Sequence, residues 1–144
     1  MTPFDFLAHA ISVILGLAIT RLISGIGISI RLIKSKKYFW LHGLWIINML
    51  ILIPAYWWGI YSWSSLGDWN LFHFLLLVIY TTNLYLITDF LVPEKFDSEL
   101  NVKEYFMDNR KMFFGLLFLS LIIDIVETYL IVKEGLEICP GDFL

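Results

Sequence analysis

Phe6–Ile30, FLAHAISVILGLAITRLISGIGISI, decides the fold of this chain. A helix needs about 20 mostly apolar residues to cross a hydrocarbon core of roughly 30 Å, and this stretch exceeds that length with a single charge, Arg21. Within it Ala8, Ser12, Gly16, Thr20 and Ser24 recur at every fourth position. On a helix that spacing predicts one ridge of small side chains, against which a second helix packs closely, from the same chain or from a second copy. Arg21 is a permanent cation, expensive to leave in lipid, so it must face protein or water and have a carboxylate partner.

Working outward from that span, the whole chain has the same character. It has 144 residues, 59% of them hydrophobic, with ten Lys/Arg against thirteen Asp/Glu and a mean hydropathy of +0.78. A soluble domain is far less apolar. Six Trp, seven Tyr and twelve Phe suit a protein anchored at two lipid–water interfaces. The net charge of −3 offers no basic footprint, so nucleic acid is not an expected partner. Cys139 is the only thiol and excludes an internal disulfide. The first span is too long for a signal-peptide core and is expected to be retained. The length predicts one domain, 1–144.

Three further stretches reach bilayer length, at about 38–63, 69–92 and 112–132. The fold expected is therefore an all-α membrane bundle of four transmembrane helices. Thr2 ahead of Pro3 is a helix start signal, Pro54 predicts a kink in the second helix, and Pro93 stops the third. The segment 94–111 alternates apolar and charged residues, which predicts a short amphipathic helix lying on the inner surface, capped by Asp97. The tail beyond Lys133, with Gly135, Pro140 and Gly141, is expected to be irregular.

Charge sets the expected orientation. Arg31, Lys34, Lys36 and Lys37 follow the first span, and Lys95, Lys103, Arg110 and Lys111 follow the third; the other connections are nearly free of cations. The positive-inside rule then places both termini outside, in a multi-pass protein of the cell's inner (plasma) membrane. Phe4, Phe6, Trp57, Trp58, Trp63, Trp69 and Phe72 would form the outer aromatic belt, with Tyr38, Phe39 and Trp40 at the inner face. Trp57 and Trp58 as a ligand cage is the sharper alternative; adjacent helical residues diverge by about 100°, which favours the belt.

The polar residues within the spans carry the functional expectation. Centring each helix in the bilayer puts Arg21, Asn48, Asn83 and Asp124 near one level, with Glu127 a turn further out and Asp89 deep toward the inner side. Tyr80, Thr81, Thr82 and Ser120 add hydroxyls. Arg21 is expected to pair with Asp124. Three acids against one arginine leave charge that packing does not require, and the cluster then lines a path or site for a small polar solute or ion. The plainer alternative is a cluster that only fixes helix register.

His9 and His73, near the outer ends of the first and third spans, form the candidate pair for a haem or metal, although no HxxxH or CxxCH spacing supports it. No P-loop, nucleophile elbow or HExxH pattern occurs, so no catalytic residue is assigned and an enzyme is not expected. The function expected first is non-enzymatic binding or passage of a solute or ion. A membrane-embedded assembly, sensor or effector subunit meeting a cytosolic partner through 94–111 is the second expectation, and a bis-histidine haem electron carrier the third. Four slender helices leave much polar surface to hide, so a homo-oligomer in the lipid bilayer is expected.

The run Ile14–Leu22 (ILGLAITRL), the Tyr56-Trp57-Trp58 region and the closing Leu91-Val92-Pro93 resemble a group of small bacterial multi-pass membrane proteins without an assigned activity. The resemblance implies a further hydrophobic pair after the fourth helix. That pair, or a second copy, would complete the bundle. It brings no catalytic residue with it.

Overall fold

The computed structural model describes residues 2–35, 37–65, 69–95 and 101–133. Among these residues four helices follow one another: α1 (Pro3–Lys34), α2 (Trp40–Ile60), α3 (Leu71–Leu91) and α4 (Val102–Lys133), with one 3₁₀ turn, Tyr61–Ser65, after α2. All four are long and apolar enough to cross a bilayer, and the chain is an all-α, multi-pass membrane protein. Much of the bundle's outer surface is aliphatic, with Leu17, Ile23, Ile51, Ile125 and Val132 each more than half exposed. Water would not tolerate such a surface, whereas lipid is as apolar as the side chains themselves.

Local chemistry explains the starts of the helices. The Thr2 hydroxyl accepts from the Asp5 amide and the Asp5 carboxylate accepts from the Thr2 amide, a reciprocal box ahead of Pro3. Asn70 caps α3 by accepting from the His73 amide, and Asn101 accepts from the Glu104 amide at the start of α4. The helix α2 continues through Pro54 to Ile60 as one helix.

Ring contacts set the directions. Phe6 stacks on Phe74 and Arg21 meets Asp89, in each case 68 positions apart, so α1 and α3 run parallel from aligned starts. Phe39 on Phe106, Trp45 on Phe113 and Tyr56 on Glu127 make α2 and α4 parallel to each other and opposite to that pair. The central element is α3, packed against α1 and α4 most extensively; α2 lies on α1 and meets α4 over a narrow seam. Because α1 is 32 residues long and α3 only 21, all of the excess, about 16 Å of helix, overhangs at the lysine-rich end.

Several expectations change here. The face of α1 that packs within the chain is Leu7, Ile11, Leu15, Ala18, Leu22 and Gly25, not the small-residue ridge. Thr20 and Ser24 are exposed, and a Cβ at Gly16 would meet nothing. The ridge can face outward because Ser12 and Thr20 return their hydroxyl protons to the carbonyls of Ala8 and Gly16. Close approach occurs at Gly25 instead, where a Cβ would stand 2.9 Å from a Val92 methyl. Residues 102–111 are not a separate surface helix but the first turns of α4, anchored by buried Val102 and Phe106. Asp97, most of 94–101, the 66–68 turn and the tail with Cys139 lie outside the described residues.

The aromatic belt is also divided. Trp63 is buried and meets Trp69, which in turn packs on Phe4, so these rings plug the end where α1 begins. Trp57 and Trp58 stay exposed and, with Pro54 and Tyr61, line one open concavity of about 650 Å³. The breadth of the indoles spans the angle between adjacent positions.

Candidate functional site

Among the described residues, the carboxylates inside the bundle gather in two polar groups, and they are separate. The first sits where α3 ends. Stopping a helix at Pro93 leaves its last carbonyls without intrahelical donors, yet Leu91, Val92 and Pro93 are buried. Donors arrive from all three neighbours. Arg21 of α1 gives Nη2–H to the Val92 carbonyl at 3.2 Å, and the Tyr105 hydroxyl of α4 reaches the same oxygen at 3.3 Å. His42 of α2 lies with Nε2 2.7 Å from the Leu91 carbonyl. A carbonyl only accepts, so Nε2 is the protonated nitrogen of that ring. The same Arg21 Nη2 is 3.4 Å from Asp89 Oδ1.

Arg21 therefore pairs with Asp89 and not with Asp124. The depth estimate failed because it centred each helix in the bilayer, whereas α1 and α3 are aligned at their starts. Asp89 is the carboxylate level with Arg21 once that alignment is made. This cluster is a structural cap for α3: Arg21 Nη2, His42 and Tyr105 serve the end carbonyls, while the buried Arg21 Nε has no hydrogen-bond partner among the described residues.

The second group lies between α2, α3 and α4, toward the end where α1 begins. Glu127 is 6% exposed and accepts a hydrogen bond from the Tyr56 hydroxyl at 3.3 Å. Asp124, one turn earlier on α4, lies beside the Tyr80 hydroxyl. The two tyrosine rings are stacked with centroids 4.2 Å apart. Each phenol thus faces one carboxyl group, and the stacking holds both rings in place. Neither Asp124 nor Glu127 has a lysine or arginine beside it among the described residues. Asp124 is only half-buried and opens onto a concavity of about 420 Å³ shared with Ile125, Thr128, Tyr129 and Val132. Glu127 lies behind it. The arrangement offers two hard carboxylate oxygen donors, one reachable and one enclosed, with no lysine or arginine among the described residues beside them.

The remaining expected residues divide. Asn83 is buried and donates to Ser120 Oγ at 2.7 Å and to the Leu116 carbonyl at 3.0 Å, tying α3 to α4. Thr81 is buried but spends its hydroxyl on Leu77 and Val78. Asn48 is exposed on the outside of α2 and does not join the polar interior. Thr82 is likewise exposed and lines a shallow groove between α3 and α4. Tyr56, which turns out to hold the buried acid, was hidden in the aromatic run Tyr56-Trp57-Trp58. Its residue type gave no signal; only the rotation of α2 distinguishes it from its neighbours.

His9 and His73 do not form a pair. His9 is exposed, with Nδ1 2.6 Å from the Asp5 carbonyl. His73 is buried beneath Trp63, Trp69 and Phe72. Among the described residues no group of three or more His, Cys, Asp or Glu is placed to hold a metal ion. Compared with known proteins, the chain matches no family model, no curated protein and no solved structure.

Proposed function

We propose that this membrane protein binds, and passes, a small cation, the proton included, at the Asp124–Glu127 pair, without catalysing a reaction. One observation carries the reading. Glu127 is enclosed within the bundle, supported by a tyrosine hydroxyl, with a second carboxyl group one turn away and no lysine or arginine counter-ion among the described residues. Charge in such a place is costly to retain for packing alone. Packing needs are met elsewhere, by Asn83 and Ser120 and by the ion pair at the end of α3. Carboxylate and phenol oxygens are hard donors suited to protons and alkali cations. The half-buried Asp124 supplies the approach, and Glu127 the enclosed position.

The test is flux. Purified protein in liposomes, with internal pH- or Na⁺-sensitive dye, should discharge an imposed gradient, and Glu127→Gln should abolish this while the variant still folds. Asp124→Asn should slow it. If wild-type protein passes neither H⁺, Na⁺ nor K⁺ above protein-free liposomes, and calorimetry shows no cation binding, the reading is wrong.

The charge asymmetry of the loops supports the accompanying placement, in the plasma membrane with both termini outside. Cys139 should then react with a membrane-impermeant maleimide in intact spheroplasts. Labelling only after lysis inverts the topology.

A further inference from the structure

One line of residues on α2 faces away from the other described helices. Leu44, Asn48, Ile51, Ala55 and Trp58 are all exposed. Their steps of four, three, four and three residues set them in a single row, the repeat by which two helices wind round each other. Asn48 stands in the middle of that row and near the middle of α2. It has no hydrogen-bond partner among the described residues. The outward serine and threonine of α1 avoid that problem by bonding to their own helix. A carboxamide in lipid has no such outlet here, and an unmet amide in hydrocarbon is expensive.

We propose that this row is the interface of a homodimer, in which the Asn48 side chains of two copies hydrogen-bond to each other across a two-fold axis normal to the membrane. Three features select a second copy over another partner. Copies inserted with the same orientation bring Asn48 to the same depth by symmetry, which an unrelated helix does only by coincidence. A carboxamide carries both donor and acceptor, so two of them satisfy each other reciprocally. Between Trp40 and Ile60 there is no Asp, Glu, Lys or Arg, so nothing on this face asks for a charged partner. A single asparagine in an otherwise apolar seam fixes the register and the number of helices. At the far end of the row, the concavity beside Trp58 leaves room for the second copy's indole. The half-buried Tyr56 points instead to Glu127, so the dimer and the cation site stand or fall separately.

The test uses the full chain in membranes, in a Cys139→Ser background. Asn48→Cys should give a disulfide-linked dimer on mild oxidation, and Gly16→Cys, on the outward ridge of α1, should not. Asn48→Leu, at an exposed position, should fold normally and weaken dimerisation in bicelles by about tenfold, as loss of interhelical amide bonds does; Asn48→Gln should restore most of it. Cross-linking through Gly16→Cys but not Asn48→Cys overturns the proposal. So does undiminished association of Asn48→Leu, or an Asn48→Cys adduct in cells that is heavier than a dimer and is missing from the purified protein.

Discussion

Arg21 and Asp89 lie on parallel helices and meet at 3.4 Å, a turn before the buried end of α3, with the Val92 carbonyl sharing the same guanidinium nitrogen. The arginine therefore does two things at once. It neutralises a carboxylate and supplies a donor that α3 cannot find within itself. Asp89 is nearly half exposed, so the ionic part is modest, about 1 kcal/mol.

A double-mutant cycle separates these contributions. Arg21→Gln should destabilise more than Asp89→Asn, since it also removes the donor to Val92. The coupling between the two should be about 0.5–1 kcal/mol. Arg21→Gln and Asp124→Asn should be additive. Reversible unfolding in mixed micelles is the measurement, and strong coupling to Asp124 would return that residue to the pair.

Gly25 and Gly16 should respond oppositely to the same change. Gly25→Ala forces Val92 and Ile46 to move, with contacts of 2.9 and 3.1 Å to the new Cβ, and should cost about 1–3 kcal/mol. Gly16→Ala meets open space and should be neutral or stabilise by up to ~1 kcal/mol through helix propensity. Equal losses at both sites would mean that the ridge packs after all.

His42→Phe keeps the ring packed against Phe106 but removes the donor to Leu91. The buried carbonyl is then unmet, for a loss of about 1–3 kcal/mol. Tyr105→Phe should cost less, because Arg21 still serves the Val92 oxygen. Hydrogen exchange should show the last turn of α3 opening first in the His42 variant.

Tyr56→Phe and Glu127→Gln distinguish support from function. Without the phenol, Glu127 loses its donor while its carboxyl group stays enclosed, so Tyr56→Phe should lower thermal stability by about 1–3 kcal/mol in free-energy terms. Glu127→Gln keeps an acceptor for Tyr56 and should fold nearly as well as wild type. Its effect should appear in cation flux. Stability losses in the reverse order would make Glu127 a packing residue.

The end of α3 shows how far a sequence reading reaches. Pro93 announces the stop, but the donors that make the stop tolerable come from positions 21, 42 and 105; Arg21 stands out as the lone charge of its span, yet nothing local directs it, His42 or Tyr105 to the end of α3. Likewise Asp124 and Glu127 were recognisable as one face of a helix, since their spacing is local. Their tyrosine partners were not, since those belong to two other helices.

What the sequence by itself determined were properties that neighbours along the chain decide: four apolar spans, the helix start at Thr2, the stop at Pro93, and charge gathered at alternate connections. Only the tertiary structure decided which faces meet. It turned Leu7, Ile11 and Leu15 inward instead of the small-residue ridge, put Asn48 outside, joined 102–111 to α4, and gave Arg21 to Asp89. The physical reason is the solvent. In water, an apolar stripe on a polar helix reveals its inward face; in a bilayer the outward face is equally apolar, and that signal vanishes. Rotation and axial offset are then set by the fit of many side chains together, such as Val92 against Gly25 and Phe6 against Phe74, and no single helix carries that information.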